Sequence, residues 1–241
     1  MLPDSQLELV FSSGVTYAAY GNQGAMQLTD GYLVGLLDRP LYIRSDGLLR
    51  TLGARLYPWA CACLLQGQDT PYIKHAGVIH GLFPALAETI ASALRERVED
   101  GVRALDQFLV TRIVEATTGH HLFVTAAQSI IAAGGDLDIE TLARASGVSS
   151  RTLRRSFGSL LGLSPKQLAQ VTRFQYVRDA LWENPNASLA DLSLAAGYAD
   201  QAHMQRDFRR FSRQTPRAFA TEMRATRALF APEAVRNLQS L

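Results

Sequence analysis

Two short segments of the chain carry polar side chains at spacings that could read the base edges of DNA. In the first segment, Leu153 and Phe157 lie four residues apart and would share one buried face of a helix. The opposite face would then present Ser150, Arg151, Arg154 and Arg155. Arginine offers two parallel donors that match the acceptors of guanine in the major groove. The segment therefore predicts a recognition helix at residues 150–157 whose outer face contacts bases.

The second segment repeats this arrangement with a different set of side chains. Met204 and Phe208 would face inward from a helix at residues 200–211. The side chains left to face DNA are Gln201, Ala202, His203, Gln205 and Arg206. Glutamine can pair with adenine, arginine with guanine, and the alanine methyl group can contact a thymine methyl. All five are predicted base contacts, and His203 has no partner at metal-ligand spacing.

Further arginines follow the second segment, in the half of the chain that carries the excess of positive charge. Residues 1–130 have 9 basic and 12 acidic side chains, whereas residues 131–241 have 15 basic and 10 acidic ones. A basic half indicates a polyanionic partner for that half alone. We predict phosphate contacts, which fix register without reading sequence, for Arg209, Arg210, Arg213 and Arg217.

Each segment is the second half of a helix-turn-helix pattern, and the whole pattern occurs twice. The turn glycines Gly147 and Gly197 lie fifty residues apart, and the closing residues Phe157 and Phe208 lie fifty-one apart. Each copy is followed by a hydroxyl residue and a proline, the usual start of a helix, at Ser164-Pro165 and Thr215-Pro216. Because chance rarely reproduces a whole register, the repeat predicts two structurally equivalent motifs.

The second copy carries a family resemblance. The stretch AGYADQAHMQRDFRRFSRQTPRAF, from Ala196 to Phe219, resembles the signature around the second helix-turn-helix of AraC-family (AraC/XylS) transcription regulators. One departure is Arg213, in a region where the family often has glycine, and we expect only a local change in the turn. The resemblance covers residues 122–224. It implies a sequence-specific regulator of transcription that binds double-stranded DNA. An activator and a homodimer are expected, and the sequence itself leaves open the choice between activation and repression and the oligomeric state.

A long helix is predicted between the two motifs. Residues 165–183 would form about 28 Å of helix at a rise of 1.5 Å per residue. One turn of B-DNA is about 34 Å, so a rigid helix of that length can hold two recognition helices in successive major grooves. The C-terminal part, residues 119–241, is therefore predicted to be an all-α DNA-binding domain that reads two grooves as a monomer.

Residues 1–118 are predicted to form a small β-rich domain that ends in a helical pair, so the fold class is α+β. Short apolar runs at residues 6–75, separated by turn signals, are typical of a small barrel or sandwich. Apolar residues then recur at helical spacing in residues 82–98 and 102–116, and Gly101 between them predicts an antiparallel hairpin. The hairpin, residues 82–116, either packs on the β-rich domain or forms a homodimer interface.

The function of the N-terminal domain has three interpretations. Residues 39–58 resemble the sensor-like region of some AraC-type regulators, which implies a small-molecule effector or dimerisation. The alternatives are a cupin-like enzyme, or a module that binds a protein partner, each tethered to DNA by the C-terminal domain. His75 and His80 have no carboxylate nearby at metal-ligand spacing, and the sequence contains no nucleophile motif and no phosphate-binding loop. We therefore predict that the protein is not an enzyme and binds no cofactor and no metal.

The remaining features concern the cysteines and the cellular location. Cys61 and Cys63, placed two apart on a strand, would share one face, and without a second pair they predict no zinc site. The longest uncharged apolar run, residues 56–65, is too short to span a bilayer. The chain also starts without the basic and apolar segments of a signal peptide. These observations predict a cytoplasmic protein with no membrane partner.

Overall fold

A computed structural model describes residues 1–14, 16–19, 25–65, 78–115 and 120–229 of the chain. Short strands occupy its first third and helices most of the rest. The α+β class predicted from the sequence is confirmed. The predicted domain boundary at residues 118 and 119 lies outside the described residues, as does His75. The division into domains 1–118 and 119–241 stays a prediction.

Seven strands among the described residues form two antiparallel sheets at the N-terminal end. They are β1 (Leu7–Ser13), β2 (Thr16–Ala19), β3 (Met26–Leu28), β4 (Gly31–Val34), β5 (Tyr42–Ser45), β6 (Arg50–Leu56) and β7 (Val78–His80). One sheet has the order β6-β1-β4-β7 and the other the order β3-β2-β5. β1 pairs with β6 from Leu7 opposite Leu56 to Ser13 opposite Arg50. Alternate residues of β1 point into the core, so Leu7, Leu9 and Phe11 are fully buried.

The two cysteines are helical, so the expectation that they lie on a strand is wrong. A 3₁₀ turn at Pro58–Ala60 leads into the short helix α1 (Cys61–Leu64). Proline fixes its own φ in the helical range and stands here at the first helical position, which favours this start. Burial raises the pKa of the Cys61 thiol to about 12, which suits a protonated packing residue.

Two helices, α2 (Pro84–Glu96) and α3 (Val98–Glu115), follow the sheets. The break between them is the extended residue Arg97, and not Gly101 as predicted, since Gly101 lies inside α3. A Cβ at Gly101 would lie 3.4 Å from Ala93 Cβ and from Leu52 Cδ2. The glycine therefore serves close packing of α3 against α2 and β6.

Within residues 120–229, seven helices form the C-terminal half. They are α4 (His121–Ala132), α5 (Ile139–Ala145), α6 (Ser150–Leu160), α7 (Pro165–Glu183), α8 (Leu189–Ala195), α9 (Gln201–Ser212) and α10 (Pro216–Leu229). Side chains that accept a hydrogen bond from the third helical N–H cap six of them, and these are Asp138, Ser149, Ser164, Ser188, Asp200 and Thr215. No helix within the described ranges is both long and apolar enough to cross a membrane.

The helices pack around two large hydrophobic cores that divide on α7. The first core joins β1, α2 and α3 to α4 and α6, and it ends on α7 at Leu168 and Ala169. The second core begins two residues later at Val171 and joins the rest of α7 to α8, α9 and α10. A smaller cluster around Leu41 lies between the strands. Each helix-turn-helix therefore belongs to its own core, and α7 belongs to both.

Candidate nucleic-acid interface

The first motif consists of α5, a tight turn and α6. Gly147 in the turn has φ of +68°, a conformation that a side chain disfavours. The hydroxyl of Ser149 accepts a hydrogen bond from the N–H of Thr152 at 3.1 Å and so starts α6. Leu153 and Phe157 are fully buried, and the Phe157 ring packs edge-on against Phe123 at a centroid distance of 5.0 Å. These contacts fix which face of α6 is outside.

The second motif has the same construction from α8, a turn and α9. Gly197 also has φ of +68°, and Asp200 Oδ1 accepts from the N–H of His203 at 2.6 Å. Met204 and Phe208 are buried, as predicted, and Phe208 packs edge-on against Phe174 of α7 at 5.0 Å. Met204 and Phe208 of α9 therefore occupy the same buried positions as Leu153 and Phe157 of α6, as the repeat predicted.

The predicted DNA contacts lie on the outer faces of these two helices. On α6 and α9 the exposed predicted contacts are Arg151, Arg154, Arg155, Ala202, Arg206, Arg209 and Arg210. The partly exposed predicted contacts are Ser150, Gln201, His203 and Gln205. The side chains of Arg213 and Arg217, beyond the end of α9, are also exposed. Every predicted contact is therefore at least partly accessible, and the roles of these residues as base or phosphate contacts stay predictions.

His203 differs from its neighbours because it has partners inside the protein. Its Nε2 lies 3.9 Å from Asp207 Oδ2, one helical turn on, and its ring meets Tyr198 edge-on at 5.2 Å. The Asp207 carboxylate is buried and its Oδ2 has no hydrogen-bond donor among the described residues. His203 is thus oriented from within before any DNA contact.

The departure at Arg213 proves to be local. Arg213 is the C-cap of α9, has φ of +63° and bonds its N–H to Arg209 O at 3.0 Å. It therefore adopts the left-handed conformation that a glycine would adopt, at a cost of roughly 1 kcal/mol. The helix end keeps its geometry, and the exposed guanidinium extends the basic surface.

A groove beside α9 adds one arginine that the sequence analysis did not select. Gln201 and Arg217 line this groove, of about 530 Å³, together with Arg224 of α10. Arg224 follows Arg217 by seven residues, two helical turns, so both lie on the same side of α10. The seven-residue spacing of Arg217 and Arg224 is visible in the sequence and could have indicated that both lie on one side of a helix. No group of three or more His, Cys, Asp or Glu side chains suited to a metal occurs in the described part of the chain.

Comparison with known proteins agrees with this construction. A family model described as a helix-turn-helix domain matches residues 142–222, from α5 into α10. No curated protein matches the chain. An AraC-type transcriptional regulator from Chromobacterium violaceum is 25% identical over 42% of this chain and 91% of its own, with a TM-score of 0.39.

Two further structures cover nearly the whole chain. ToxT from Vibrio cholerae O395 is 9% identical, with 92% of this chain and 91% of its own covered and a TM-score of 0.50. The same protein bound to (E)-4-(8-methylnaphthalen-1-yl)but-3-enoic acid is 10% identical, with 92% of each chain covered and a TM-score of 0.50. At this identity the likeness is one of fold, and it extends to the N-terminal sheets.

Proposed function

We propose that this chain is an AraC-type transcription regulator that places α6 and α9 in two successive major grooves of one DNA site. The matched helix-turn-helix domain at residues 142–222 supports this proposal. The observation that carries the proposal is the shared helix α7, because its 19 residues hold both recognition helices through packed cores. At about 28 Å, α7 approaches the 34 Å of one DNA turn. The matched domain family consists of DNA-binding regulators and not of enzymes. We propose that this chain, too, is a DNA-binding regulator and not an enzyme.

The full chain should bind DNA in a salt-sensitive way. Exposed arginines on both recognition helices would displace counterions from phosphates, so affinity falls as salt rises. We expect retardation of genomic fragments in gel shifts at low salt and progressive loss above about 0.2 M. Because the first core runs from the sheets into α6, the intact chain is the proper reagent. Absence of a shift at low salt would contradict the proposal.

Single substitutions on α9 should separate phosphate contacts from base contacts. Arg209→Ala should weaken binding to all sequences alike and lower the salt slope by about one unit. Gln201→Ala and Arg206→Ala should instead relax base preference, at a cost of about 1–3 kcal/mol on the preferred site. Binding to a randomised site library measures both effects. Uniform losses from Gln201→Ala and Arg206→Ala would show that the division is wrong.

The N-terminal half is proposed to form a homodimer through α3. Exposed apolar side chains follow one another along this helix at helical spacing, among them Val102, Val110 and the 66% exposed Ile113. An apolar stripe of this kind on a soluble surface favours a partner surface. Sedimentation of the wild-type chain and of an Ile113→Glu variant tests the assignment, with a dimer and a monomer as the expected species.

The N-terminal half is also proposed to take a small-molecule effector. The support is its fold likeness to ToxT, one structure of which holds a bound organic acid. A ligand screen by thermal shift on the intact chain tests it. Capture of a protein partner without any small-molecule shift would favour the partner-binding interpretation instead.

Activation of a reporter gene in cells tests the activator role, which stays a prediction together with the cytoplasmic location.

A further inference from the structure

Three segments from different parts of the C-terminal half meet at the point on α7 where the two cores divide. The first is the loop between α4 and α5. Gly135 in this loop is buried with φ of +80°, and an added Cβ would overlap Ala169 O and lie 3.1 Å from Arg173 Cγ. The loop backbone therefore lies directly against α7, which only glycine permits.

The second segment is the turn of the second motif. Asp136, next to Gly135, holds its side chain over Gly197, because a Cβ at Gly197 would lie 2.6 Å from Asp136 Cβ. A residue of the loop that leads into the first motif thus fills the space above the turn of the second motif. This contact joins that loop to the second motif without passing through a core.

The third segment is α7 at Arg173, whose side chain contacts the turn of the second motif at Gly197 and Tyr198. Its Nη1 donates to Gly197 O at 3.2 Å, and its guanidinium carbon lies 4.9 Å from the centre of the Tyr198 ring. Its Nε is buried without a partner among the described residues. Tyr198 is 5% exposed and meets His203 at the start of α9 edge-on. Arg173 is therefore connected to the second recognition helix through the Tyr198 ring, which packs against His203.

We propose that Arg173, with the Gly135–Asp136 loop, is the positioning group that fixes the angle between α6 and α9, and hence the half-site spacing that the chain accepts. The inference rests on the proposed two-groove binding. The first core ends on α7 at Ala169 and the second begins at Val171, so on α7 itself the two cores are joined by the helix backbone at Gln170. The packing of Asp136 over Gly197 crosses this division, and Arg173 holds Gly197 and Tyr198 through a hydrogen bond and a cation–ring contact, so together these contacts restrict rotation about it.

The test is a spacing profile. Wild-type protein is titrated against a selected DNA site in which the two half-sites are moved by −1, +1 or +2 base pairs. Each base pair turns one half-site by about 35° relative to the other. We expect the wild type to lose at least about tenfold in affinity for each such shift. For Arg173→Met, which keeps the apolar stem, the loss should fall to about threefold or less, with a modest loss on the preferred spacing.

Two further variants complete the design. Arg178→Met is the matched control, because Arg178 lies on the same helix but bonds Pro3 O and Asp179 instead, and its profile should stay as steep as wild type. Asp136→Ala removes an exposed side chain from the same junction and should flatten the profile even if Arg173→Met does not melt cooperatively.

The outcomes separate the two proposals. A flattened profile for Arg173→Met or Asp136→Ala, with a steep one for Arg178→Met, supports the positioning role. A uniform loss at every spacing with a lower salt slope would make Arg173 a phosphate contact and overturn it, while two-groove binding stands. A wild-type profile that is already flat overturns two-groove binding and the inference with it.

Discussion

Insertion of one alanine after Gln170 should remove most of the specific DNA affinity of this chain while both motifs stay folded. The insertion adds 1.5 Å and rotates everything beyond it by about 100°. Gln170 lies between Ala169, the last α7 residue of the first core, and Val171, the first of the second. Each core keeps its own residues, so the main change is the orientation of α9 relative to α6.

The expected loss can be calibrated against a one-motif protein. A variant with Gln201, His203, Gln205 and Arg206 all changed to alanine leaves only α6 to read DNA. The insertion variant should bind the preferred site about as weakly as this one, on the order of a hundredfold or more below wild type. An alanine inserted after Pro185, in the loop beyond α7, is the matched control and should cost far less. If the Gln170 insertion, once shown to melt cooperatively, binds like wild type, α7 does not set the phase of the motifs.

Phe208→Ala should unfold the second motif selectively. Phe208 is 1% exposed and packs edge-on against Phe174 at 5.0 Å and Phe219 at 5.6 Å. Truncation of a buried phenylalanine costs about 3–5 kcal/mol. The second core draws on α7 to α10 for nearly all its residues, so we expect α8, α9 and α10 to lose amide-exchange protection while α4 and α6 keep theirs.

The equivalent change in the first motif is the control, because Phe157 occupies the matching position of the repeat. Phe157→Ala should lower amide-exchange protection over a larger part of the chain, because the first core continues from α6 through α4 to α2, α3 and β1. Hydrogen exchange measured by segment distinguishes the two patterns. Equal loosening of β1 and α9 by Phe208→Ala would show that the chain has one cooperative core and not two.

The second motif was the part most completely predicted from sequence because its signals are local. Apolar residues four apart select the inner face of a helix, and Asp200 and Gly197 mark its start and the preceding turn. These depend only on neighbours within a turn or two. Once the buried residues of the helix were predicted, the remaining side chains were assigned to its outer face, and these are at least partly exposed in the structure.

The features that sequence reasoning missed depend on distant parts of the chain. Gly101 reads as a helix break, yet its role is contact with Leu52, forty-nine residues earlier. Arg173 reads as one more solvated arginine on a helix, and only the fold brings it to Gly197 and Tyr198. The cysteines were misplaced because a short apolar run fits a strand or a helix equally well.

The most direct test of two-groove binding is a hydroxyl-radical footprint of the intact chain on its selected DNA site, with the number of chains per DNA measured in the same solution. The length of α7, 19 residues, predicts two protected segments on one face of the duplex, centred about 10 base pairs apart, for each bound chain. The four-alanine variant of α9 should lose one of the two segments. A single protected groove per chain, or a second one that appears only when a second chain binds, would contradict the account.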